Sequence, residues 1–396
     1  MRPLPAVPMP LSLRDLRRAE RQQTGAREQL EAAIAEYHGA HAAFATSSAR
    51  VALWLILRAL HQLRPEADRV IIPGYTCPTV GRSVTEAGLE GLCADVELDT
   101  LNVEAAEVGA LADDRVLAVV APHMFGMPCD VAALRSICEQ HSLWLIEDLA
   151  QCVGGRWQGR LVGTFGDIGF LSMGRSKNLR GCEGGLLWVN HADLVEPLRV
   201  AFERLPEAHA AWRARCRQVA VVRLSEPYAW ALARRLPGLR VGAEDQSFDT
   251  HPAKLGDREA AVGLISFGRL EEYNHRRREQ AAQLRKLLED VPGLKCQTVP
   301  PEAEPTYVRF ATTVTAELGM HRDELAARLQ RANVDARAFY TRQMSDYDWF
   351  RQAEQPRSTP NSQTMVDTNL ILPMHHAMSE DGLVGVARAM RGGRGR

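Results

Sequence analysis

Short apolar runs alternate with helical patterns between residues 27 and 189, and this alternation restricts the fold more than any other feature. Such an order is typical of an α/β protein in which helices cover both faces of a mostly parallel sheet. Strands are predicted at 44–48, 69–73, 90–96, 116–123, 143–148, 167–173 and 184–189. Helices are predicted at 27–40, 49–60, 103–112 and 130–141, with a further one ending near 87. The sequence therefore predicts a seven-stranded sheet flanked by helices.

The rest of the chain predicts a second, smaller α/β unit. Residues 257–293 have the pattern of one long helix that ends at Pro292-Gly293. Beyond it we expect strands near 306–315 and at 369–374, and helices at 321–334 and 379–390. Two domains follow: a large one over 1–255, with an atypical Arg-rich helical segment at about 203–250, and a small one over 256–396 that includes the linking helix.

Polar residues follow two neighbouring strands of the predicted sheet. Asp148 ends an apolar strand in "LIEDLAQ", and Ser172 and Lys177 lie at the end of the next strand in "LSMGRSKNLRGCEGG". Ligands of parallel α/β sheets bind beyond the carboxyl ends of the strands. We therefore expect Asp148 and the Ser172–Lys177 turn to belong to a functional site.

Lysine is rare in this chain, and the few lysines are therefore candidates for roles that arginine cannot fill. Of the 48 basic residues only four are lysines, namely 177, 254, 286 and 295. An amine can lose its proton and form a Schiff base with a carbonyl, whereas a guanidinium cannot. Lys177 between small polar residues and glycines thus favours covalent chemistry with an aldehyde. The alternative, an ordinary surface lysine, is accepted for Lys286 and Lys295.

An aldehyde cofactor used in this way is pyridoxal phosphate. Its site needs an amine, a carboxylate for the ring nitrogen, donors for the phosphate and a cover for the ring. Asp148 would supply the carboxylate, or would simply cap a helix, and Gln151 is spaced to lie beside it. In "ATSSARVAL" a helix start offers N–H groups to a phosphate, although Ser48 is also an ordinary N-cap. Ser172 would add a hydroxyl donor.

The composition argues against several other classes of protein. Acidic and basic residues number 49 and 48, so no field of one sign favours nucleic acid or an anionic membrane. The eight cysteines have no CxxC spacing and indicate reduced thiols. We expect a cytoplasmic protein, because no run approaches the ~18 apolar residues of a spanning helix. His123, His375 and His376 are predicted to be structural, and no pair has the spacing of a metal site.

The sequence resembles the DegT/DnrJ/StrS-type aminotransferases, which are pyridoxal phosphate enzymes of fold type I, from about residue 25 to 390. The resemblance depends on "ATSSARVAL", "VIIPGYTCPTV", "CADVELDTLNV", "PHMFGMPCDVAAL", the block from "LIEDLAQ" to "GRSKNL", "CEGGLLWVN", "DREAAVGLISFGRLEEYNHRRRE" and "LPMHHAMSEDGL". The order EDxAQ, SxxxxKN, EGG is its most specific part. It implies a large cofactor-binding domain, a smaller C-terminal domain, and a homodimer with sites at the subunit interface.

The resemblance also assigns roles to residues. Lys177 holds pyridoxal phosphate and later moves a proton, Asp148 pairs with the ring nitrogen, and Gln151 lies against the ring. The phosphate is held by Ser172 and by the backbone of Ser48, Ala49 and Arg50. Cys77 occupies the position of the aromatic residue that usually covers the ring.

Three departures from the family pattern stand out. Because Cys77 replaces an aromatic residue, Tyr75 or another side chain would have to cover the ring. Ala49-Arg50 replaces the usual Gly-Thr, and Arg50 either adds charge at the phosphate or points away. The family's cross-subunit Asn has no counterpart in "HPAKLGD", where only His251 and Lys254 are nearby candidates.

The resemblance implies transfer of an amino group from glutamate or glutamine to a keto-sugar carried on a nucleotide, for a polysaccharide or a secondary metabolite. Alternatives are an acceptor that is not a sugar, giving an aminocyclitol or an aromatic amine, and a non-catalytic binding or regulatory protein of the same fold. The sugar dehydratases of the family carry His in place of the lysine, so Lys177 disfavours that branch.

Overall fold

The computed structural model describes residues 11–174, 176–180, 183–208, 216, 218–220, 222–223, 252–353, 357–375 and 378–391. Most of the predicted helical segment at 203–250 lies outside the described residues, as do His251 and His376. The strands are β1 (Ala42–Thr46), β2 (Arg69–Pro73), β3 (Glu90–Ala94), β4 (Val116–Pro122), β5 (Trp144–Asp148), β6 (Arg156–Trp157), β7 (Arg160–Leu161), β8 (Ile168–Ser172), β9 (Gly185–Val189), β10 (Leu294–Cys296), β11 (Ala303–Glu304), β12 (Phe310–Val314) and β13 (Asn369–Leu372).

Seven of these strands form the central sheet, in the order β1-β9-β8-β5-β4-β2-β3. The pairs from β8 through β5, β4 and β2 to β3 are parallel. Only β9 runs the other way, antiparallel to both β8 and β1. The predicted mostly parallel seven-stranded sheet is therefore confirmed, with strand bounds within about two residues of those expected.

The helices of the described residues are α1 (Leu13–Arg21), α2 (Ala26–His38), α3 (Ala49–Leu63), α4 (Pro78–Glu86), α5 (Ala105–Leu111), α6 (Val131–Gln140), α7 (Val195–Glu203), α8 (Asp257–Phe267), α9 (Leu270–Leu288), α10 (Arg322–Arg331), α11 (Pro360–Thr368) and α12 (Glu380–Arg391). Neighbouring strand residues point to opposite faces of the sheet. Leu145 joins a core with α2, α6 and α8, whereas Ile146 joins a core with α3, α4 and α7. Both faces are thus covered, as a parallel sheet requires.

The single long helix predicted over 257–293 is wrong, because α8 and α9 are separate helices. The backbone leaves the helical conformation at Arg269, where φ is −115° and ψ is 4°. The Arg269 guanidinium there binds the carboxylate of Asp15 in α1, at 2.7 and 3.1 Å. A long-range ion pair and Gly268, a poor helix former, together end α8, whereas the local pattern favours continuation.

The C-terminal residues form a second, three-stranded antiparallel sheet in the order β10-β12-β13. One of the hydrophobic clusters has all its members between Ala281 and Met390, where α9, α10 and α12 cover this sheet. The strands and helices predicted here are confirmed. A small sheet of β11, β6 and β7 was not predicted, and it links residues 303–304 to the hairpin after β5.

A glycine controls how closely β9 approaches α3. A Cβ on Gly185 would overlap the backbone of both Ser48 and Ala49, and neither can move without shifting a strand or a helix. We expect Gly185→Ala to destabilise the protein by about 1–3 kcal/mol through overpacking. Gly109→Ala in α5 is the control, since its nearest atom would be Ile137 Cδ1 at 3.8 Å. That change should stabilise by about 0.5–1 kcal/mol through helix propensity.

Urea unfolding followed by circular dichroism measures both variants against the wild-type protein. Equal midpoints for Gly185→Ala and the wild-type protein would contradict the close approach.

Candidate functional site

Strand polarity collects the candidate residues at one edge of the sheet. β1, β8, β5 and β4 end at this edge, and the antiparallel β9 begins there. The residues at these ends lie in the spatial order Ser48, Gly185, Ser172, Asp148 and His123. Residues from five separate stretches of the sequence thus line one edge.

Lys177 lies in the turn that leaves β8. Its backbone N–H donates to the Gly174 carbonyl at 3.2 Å, and the Gly174 N–H donates to Ser172 Oγ at 3.3 Å. Burial raises the pKa of Asp148, and the positive charge of Lys177 is among the smaller effects that oppose this rise. The structure therefore brings Lys177 and Asp148 within electrostatic range of each other.

Asp148 is a buried carboxylate with 7% of its surface exposed. Its Oδ1 accepts the Ala150 N–H at 2.8 Å. Burial raises the pKa of Asp148 above its ordinary value, because the ionised form loses hydration. A cation placed against this carboxylate would reduce the cost of keeping it charged.

Gln151 is buried beside the same strand end. Its Nε2 donates to the Tyr340 hydroxyl at 3.4 Å and faces Met124 Sδ at 3.8 Å. Its Oε1 has no hydrogen-bond partner among the described atoms, although the atom is buried. Buried polar atoms normally have partners, so this oxygen indicates a place for a ligand.

The predicted phosphate-binding residues meet where β9 approaches α3. Ser172 is the register partner of Gly185, and Gly185 lies directly against Ala49. Ser48 is the N-cap of α3, and its Oγ accepts the Val51 N–H at 3.3 Å. The half-buried Arg50 follows in the first turn. The first N–H groups of a helix lack intrahelical acceptors, and they attract anions.

Tyr75 and Cys77 have different positions after β2. Tyr75 is fully buried: its hydroxyl donates to Asn369 Oδ1 and accepts the Tyr340 N–H, both at 3.4 Å. Cys77 is half-buried at the N-cap of α4, and its Sγ lies 3.0 Å from Thr79 Oγ1. Tyr75 thus supports Tyr340, and Cys77 is the more accessible of the two to a ligand.

Tyr340 is a site residue that the sequence did not reveal. It contacts Gln151 across 189 positions of sequence, and its ring packs edge-on against Tyr75 at 5.3 Å. Local spacing carries no information about a contact of this range. The described C-terminal residues therefore contribute to the site at the sheet edge.

His123 has a structural environment. A backbone N–H can only donate, so the bond from Cys129 N to His123 Nδ1 at 3.1 Å leaves the ring proton on Nε2. That proton faces the Glu147 carboxylate at 3.2 Å. Glu147 also accepts the N–H groups of residues 163, 165 and 166, at 2.6 to 2.8 Å. The His123 side chain thus helps to hold the loop that follows β7.

Two other candidates are Lys254 and His375. Lys254 pairs with β1 at Thr46, and its Nζ lies 2.7 Å from Glu203 and 3.4 Å from Glu207. His375 is buried. Among the residues that the structure describes, no group of three or more His, Cys, Asp or Glu side chains could hold a metal ion. The same residues include no helix that is long and apolar enough to cross a membrane.

The chain is similar in sequence to a known family and to several of its members. Residues 12–391 match the model of the DegT/DnrJ/EryC1/StrS aminotransferase family. The spore coat polysaccharide biosynthesis protein SpsC of Bacillus subtilis is 26% identical over 375 residues, which cover 92% of this chain and 88% of that protein. The dTDP-4-dehydro-2,6-dideoxy-D-glucose 3-dehydratase of Saccharopolyspora spinosa is 26% identical over 343 residues, 83% of this chain and 71% of that protein.

The fold has close counterparts among solved structures. The aminotransferase TlmJ from Streptoalloteichus hindustanus superposes with a TM-score of 0.79 over 98% of both chains, at 24% identity. This likeness confirms the expected fold type I architecture. Because the family model covers nearly the whole sequence, this chain belongs to the DegT/DnrJ/EryC1/StrS aminotransferase family.

Proposed function

We propose that this protein is a pyridoxal phosphate-dependent aminotransferase that moves an amino group from glutamate or glutamine to a keto-sugar carried on a nucleotide. The observation that carries the proposal is that β5 and β8 are parallel neighbours, so Asp148 at the end of one and the turn with Lys177 after the other lie at one sheet edge. An amine facing an aldehyde and a carboxylate facing a ring nitrogen are the two contacts that this cofactor chemistry requires.

The residues present fit the cofactor. Asp148 is a buried carboxylate whose raised pKa reflects the cost of its charge, and a protonated ring nitrogen would offset that cost. The unpartnered Oε1 of Gln151 leaves an acceptor at the same place. The start of α3 at Ser48 and Ala49, together with Ser172, supplies donors suited to a phosphate. The bound cofactor supplies an electron sink for the carbanion formed at the substrate carbon.

Each residue then has a definite task. Lys177 Nζ holds the cofactor and moves a proton to or from the substrate carbon. Asp148 keeps a positive charge on the ring nitrogen, Gln151 borders the ring, and Tyr340 fixes the orientation of Gln151. Cys77 would cover the ring with a smaller surface than the aromatic residue expected there, and Arg50 would either add charge at the phosphate or point away from it.

The names of two relatives support the proposed acceptor. One is named for polysaccharide biosynthesis, and the other for a dTDP-linked dehydro sugar. The second name supports a nucleotide-linked keto-sugar as the substrate class, and the first supports a role in polysaccharide biosynthesis. The second name is that of a dehydratase, but Lys177 favours amino transfer because the dehydratases of the family are expected to carry His there. A cyclitol or aromatic acceptor is the second candidate.

The wider organisation is part of the same proposal. We propose a large domain over 1–255 and a linking helix with a small domain over 256–396. The separate hydrophobic cluster between Ala281 and Met390 supports the second unit, whereas α8 packs in the core of the large sheet. We propose a cytoplasmic homodimer in which each subunit completes the other's site. Lys254, which lies beside β1 next to Ser47, is the nearest described candidate for the missing cross-subunit Asn.

Lys177→Arg tests the covalent role. The variant keeps the positive charge, but a guanidinium keeps its protons and cannot attach an aldehyde. We expect it to lose the visible absorption of the cofactor-loaded protein and to lose amino transfer from glutamate. Lys286→Arg is the matched control, because Lys286 is exposed on α9. Turnover by Lys177→Arg at the wild-type rate would show that the lysine has been wrongly assigned.

Asp148→Asn tests the buried charge. Because the pKa of Asp148 is raised in the folded protein, its ionised form costs stability at every pH above that pKa. The amide removes this cost and still accepts the Ala150 N–H. Without cofactor at neutral pH, we therefore expect the variant to melt at a higher temperature than the wild-type protein. This difference in melting temperature should become smaller in acid. Its affinity for pyridoxal phosphate should fall at least ~100-fold.

Scanning fluorimetry and absorbance titration measure these two quantities. A variant that melts lower than the wild-type protein and binds the cofactor equally well would contradict the assignment.

Acceptors are compared in the second half of the reaction, in which the protein passes on the amino group that it has taken from the donor. Protein loaded with the amino group is mixed with nucleotide-linked keto-sugars, free keto-sugars or keto-cyclitols, and recovery of the original spectrum is followed. Recovery only with the nucleotide-linked compounds supports the sugar acceptor, and recovery only with a cyclitol supports the second candidate. Bound cofactor that does not respond to any amino donor would indicate a binding protein.

A further inference from the structure

Two neighbouring residues at the end of β5, Glu147 and Asp148, turn their carboxylates to opposite faces of the sheet. Asp148 is the candidate partner of the cofactor. Glu147 lies on the other face, and its side chain is completely buried. A buried carboxylate is costly unless hydrogen-bond donors satisfy it, so the donors around Glu147 show which parts of the protein it holds together.

Four donors surround the Glu147 carboxylate. Its Oε2 accepts the Gly163 N–H at 2.7 Å and faces His123 Nε2 at 3.2 Å. Its Oε1 accepts the N–H groups of residues 165 and 166, at 2.8 and 2.6 Å. Burial raises the pKa of Glu147, but His123 and the backbone donors outweigh this effect and hold the pKa below its ordinary value. The carboxylate is therefore ionised at neutral pH, and it joins the end of β4 to the loop before β8.

His123 contacts both residues at the end of β5. Its ring reaches the Glu147 carboxylate, and its backbone N–H donates to the Asp148 carbonyl at 3.2 Å. The ring has a second anchor, because Nδ1 accepts the Cys129 N–H at 3.1 Å. Both ring nitrogens are thus bonded, and they fix the place at which the His123 backbone meets Asp148.

The turn that begins at His123 depends on this support. Phe125 in the turn is fully buried and has a φ of 59°, a left-handed conformation that is unfavourable for a residue with a Cβ. Met124 Sδ in the same turn lies 3.8 Å from the amide nitrogen of Gln151. A shift of His123 would therefore reach Asp148 through the backbone and Gln151 through Met124.

We propose that His123 and Glu147 are positioning residues for the amino transfer. The ionised Glu147 carboxylate fixes the His123 ring, and His123 fixes the end of β5, so that Asp148 keeps one position toward the ring nitrogen of the cofactor. The proposal rests on the proposed aminotransferase function. The competing explanation is that Glu147 only stabilises the loop at 163–166, in which case its loss would weaken the protein without a specific effect at Asp148.

His123→Leu tests the link, because it removes the donor to Glu147 and keeps a side chain of similar size. A ring nitrogen that is less well paired with Asp148 loses its proton more readily, and its positive charge then no longer opposes protonation at the Lys177 nitrogen. We expect the pH at which the visible absorption of the bound cofactor changes to rise by about one unit. The affinity for pyridoxal phosphate should fall about tenfold. Absorbance titrations against pH and against cofactor concentration measure both quantities.

Two further variants separate positioning from a general loosening of the loop. Asn190 Nδ2 donates to the carbonyls of Gly163 and Gly166, both at 2.8 Å, and thus holds the same loop that Glu147 holds by its N–H groups. Asn190→Ala should lower the melting temperature and leave the pH midpoint of the cofactor absorption unchanged. His123→Gln keeps a donor near the position of Nε2, so it should show less than about half of the shift that His123→Leu causes.

A double-mutant cycle with Asp148→Asn, at saturating cofactor, tests whether His123 acts through Asp148. If it does, His123→Leu should add almost nothing to the midpoint shift that Asp148→Asn causes alone. Full additivity of the two shifts would overturn the proposal, and so would an Asn190→Ala shift as large as that of His123→Leu. If His123→Leu does not fold, Glu147→Gln replaces it with the same expected outcomes, because an amide has one oxygen for the four donors.

A measurement without cofactor keeps the two proposals apart. Amide hydrogen exchange should become faster at residues 123–126 and 148–150 in His123→Leu, and only at residues 163–166 in Asn190→Ala. Wild-type protein that binds no pyridoxal phosphate, with this exchange pattern in the variants, would reject the aminotransferase function and retain the link from His123 to β5. Normal amino transfer with an unchanged pH midpoint in His123→Leu would reject the positioning role alone.

Discussion

The common direction of the parallel strands is the constraint on which the rest of this protein depends. Each strand delivers one short loop to the same edge, so a serine, a lysine and an aspartate from distant stretches of sequence meet there. Strand β9 runs in the opposite direction, so its first residue, Gly185, lies at that edge and its last residue does not. The absence of a side chain at Gly185 then allows the edge to close against the start of α3.

The site concentrates charge where water is scarce. A carboxylate at Asp148 and guanidiniums at Arg180 and Arg277 are all deeply buried, and each has a pKa displaced in the direction that disfavours its charge. Such groups cost stability unless partners within the protein or a ligand compensate them.

Residues of the C-terminal part of the chain contact the residues at the sheet edge. Thr306 donates to the Gln151 carbonyl at 3.2 Å, Tyr340 accepts from the Gln151 amide, and Arg309 stacks near Tyr340 through Phe339. Tyr75 connects this group to Asn369. Gln151 is therefore held by the side chains of Thr306 and Tyr340, both distant from it in sequence, which makes the site sensitive to how the C-terminal residues pack.

The amino-acid sequence determined the seven-stranded sheet, the edge at which its candidate residues lie, and Lys177 as a candidate. Alternating apolar patterns, strand ends and the choice of Lys over Arg are all local properties of the chain. It also determined Asp148, Gln151 and Ser48 as candidates, since their spacing from the strands is local. Only the tertiary structure decided the break at Arg269, the support from Tyr340 and the burial of Arg180, Arg277 and Arg309. The reason is physical: a bond to Asp15 254 positions away, or the burial of three guanidiniums from three separate elements, leaves no trace in the periodicity of any one segment.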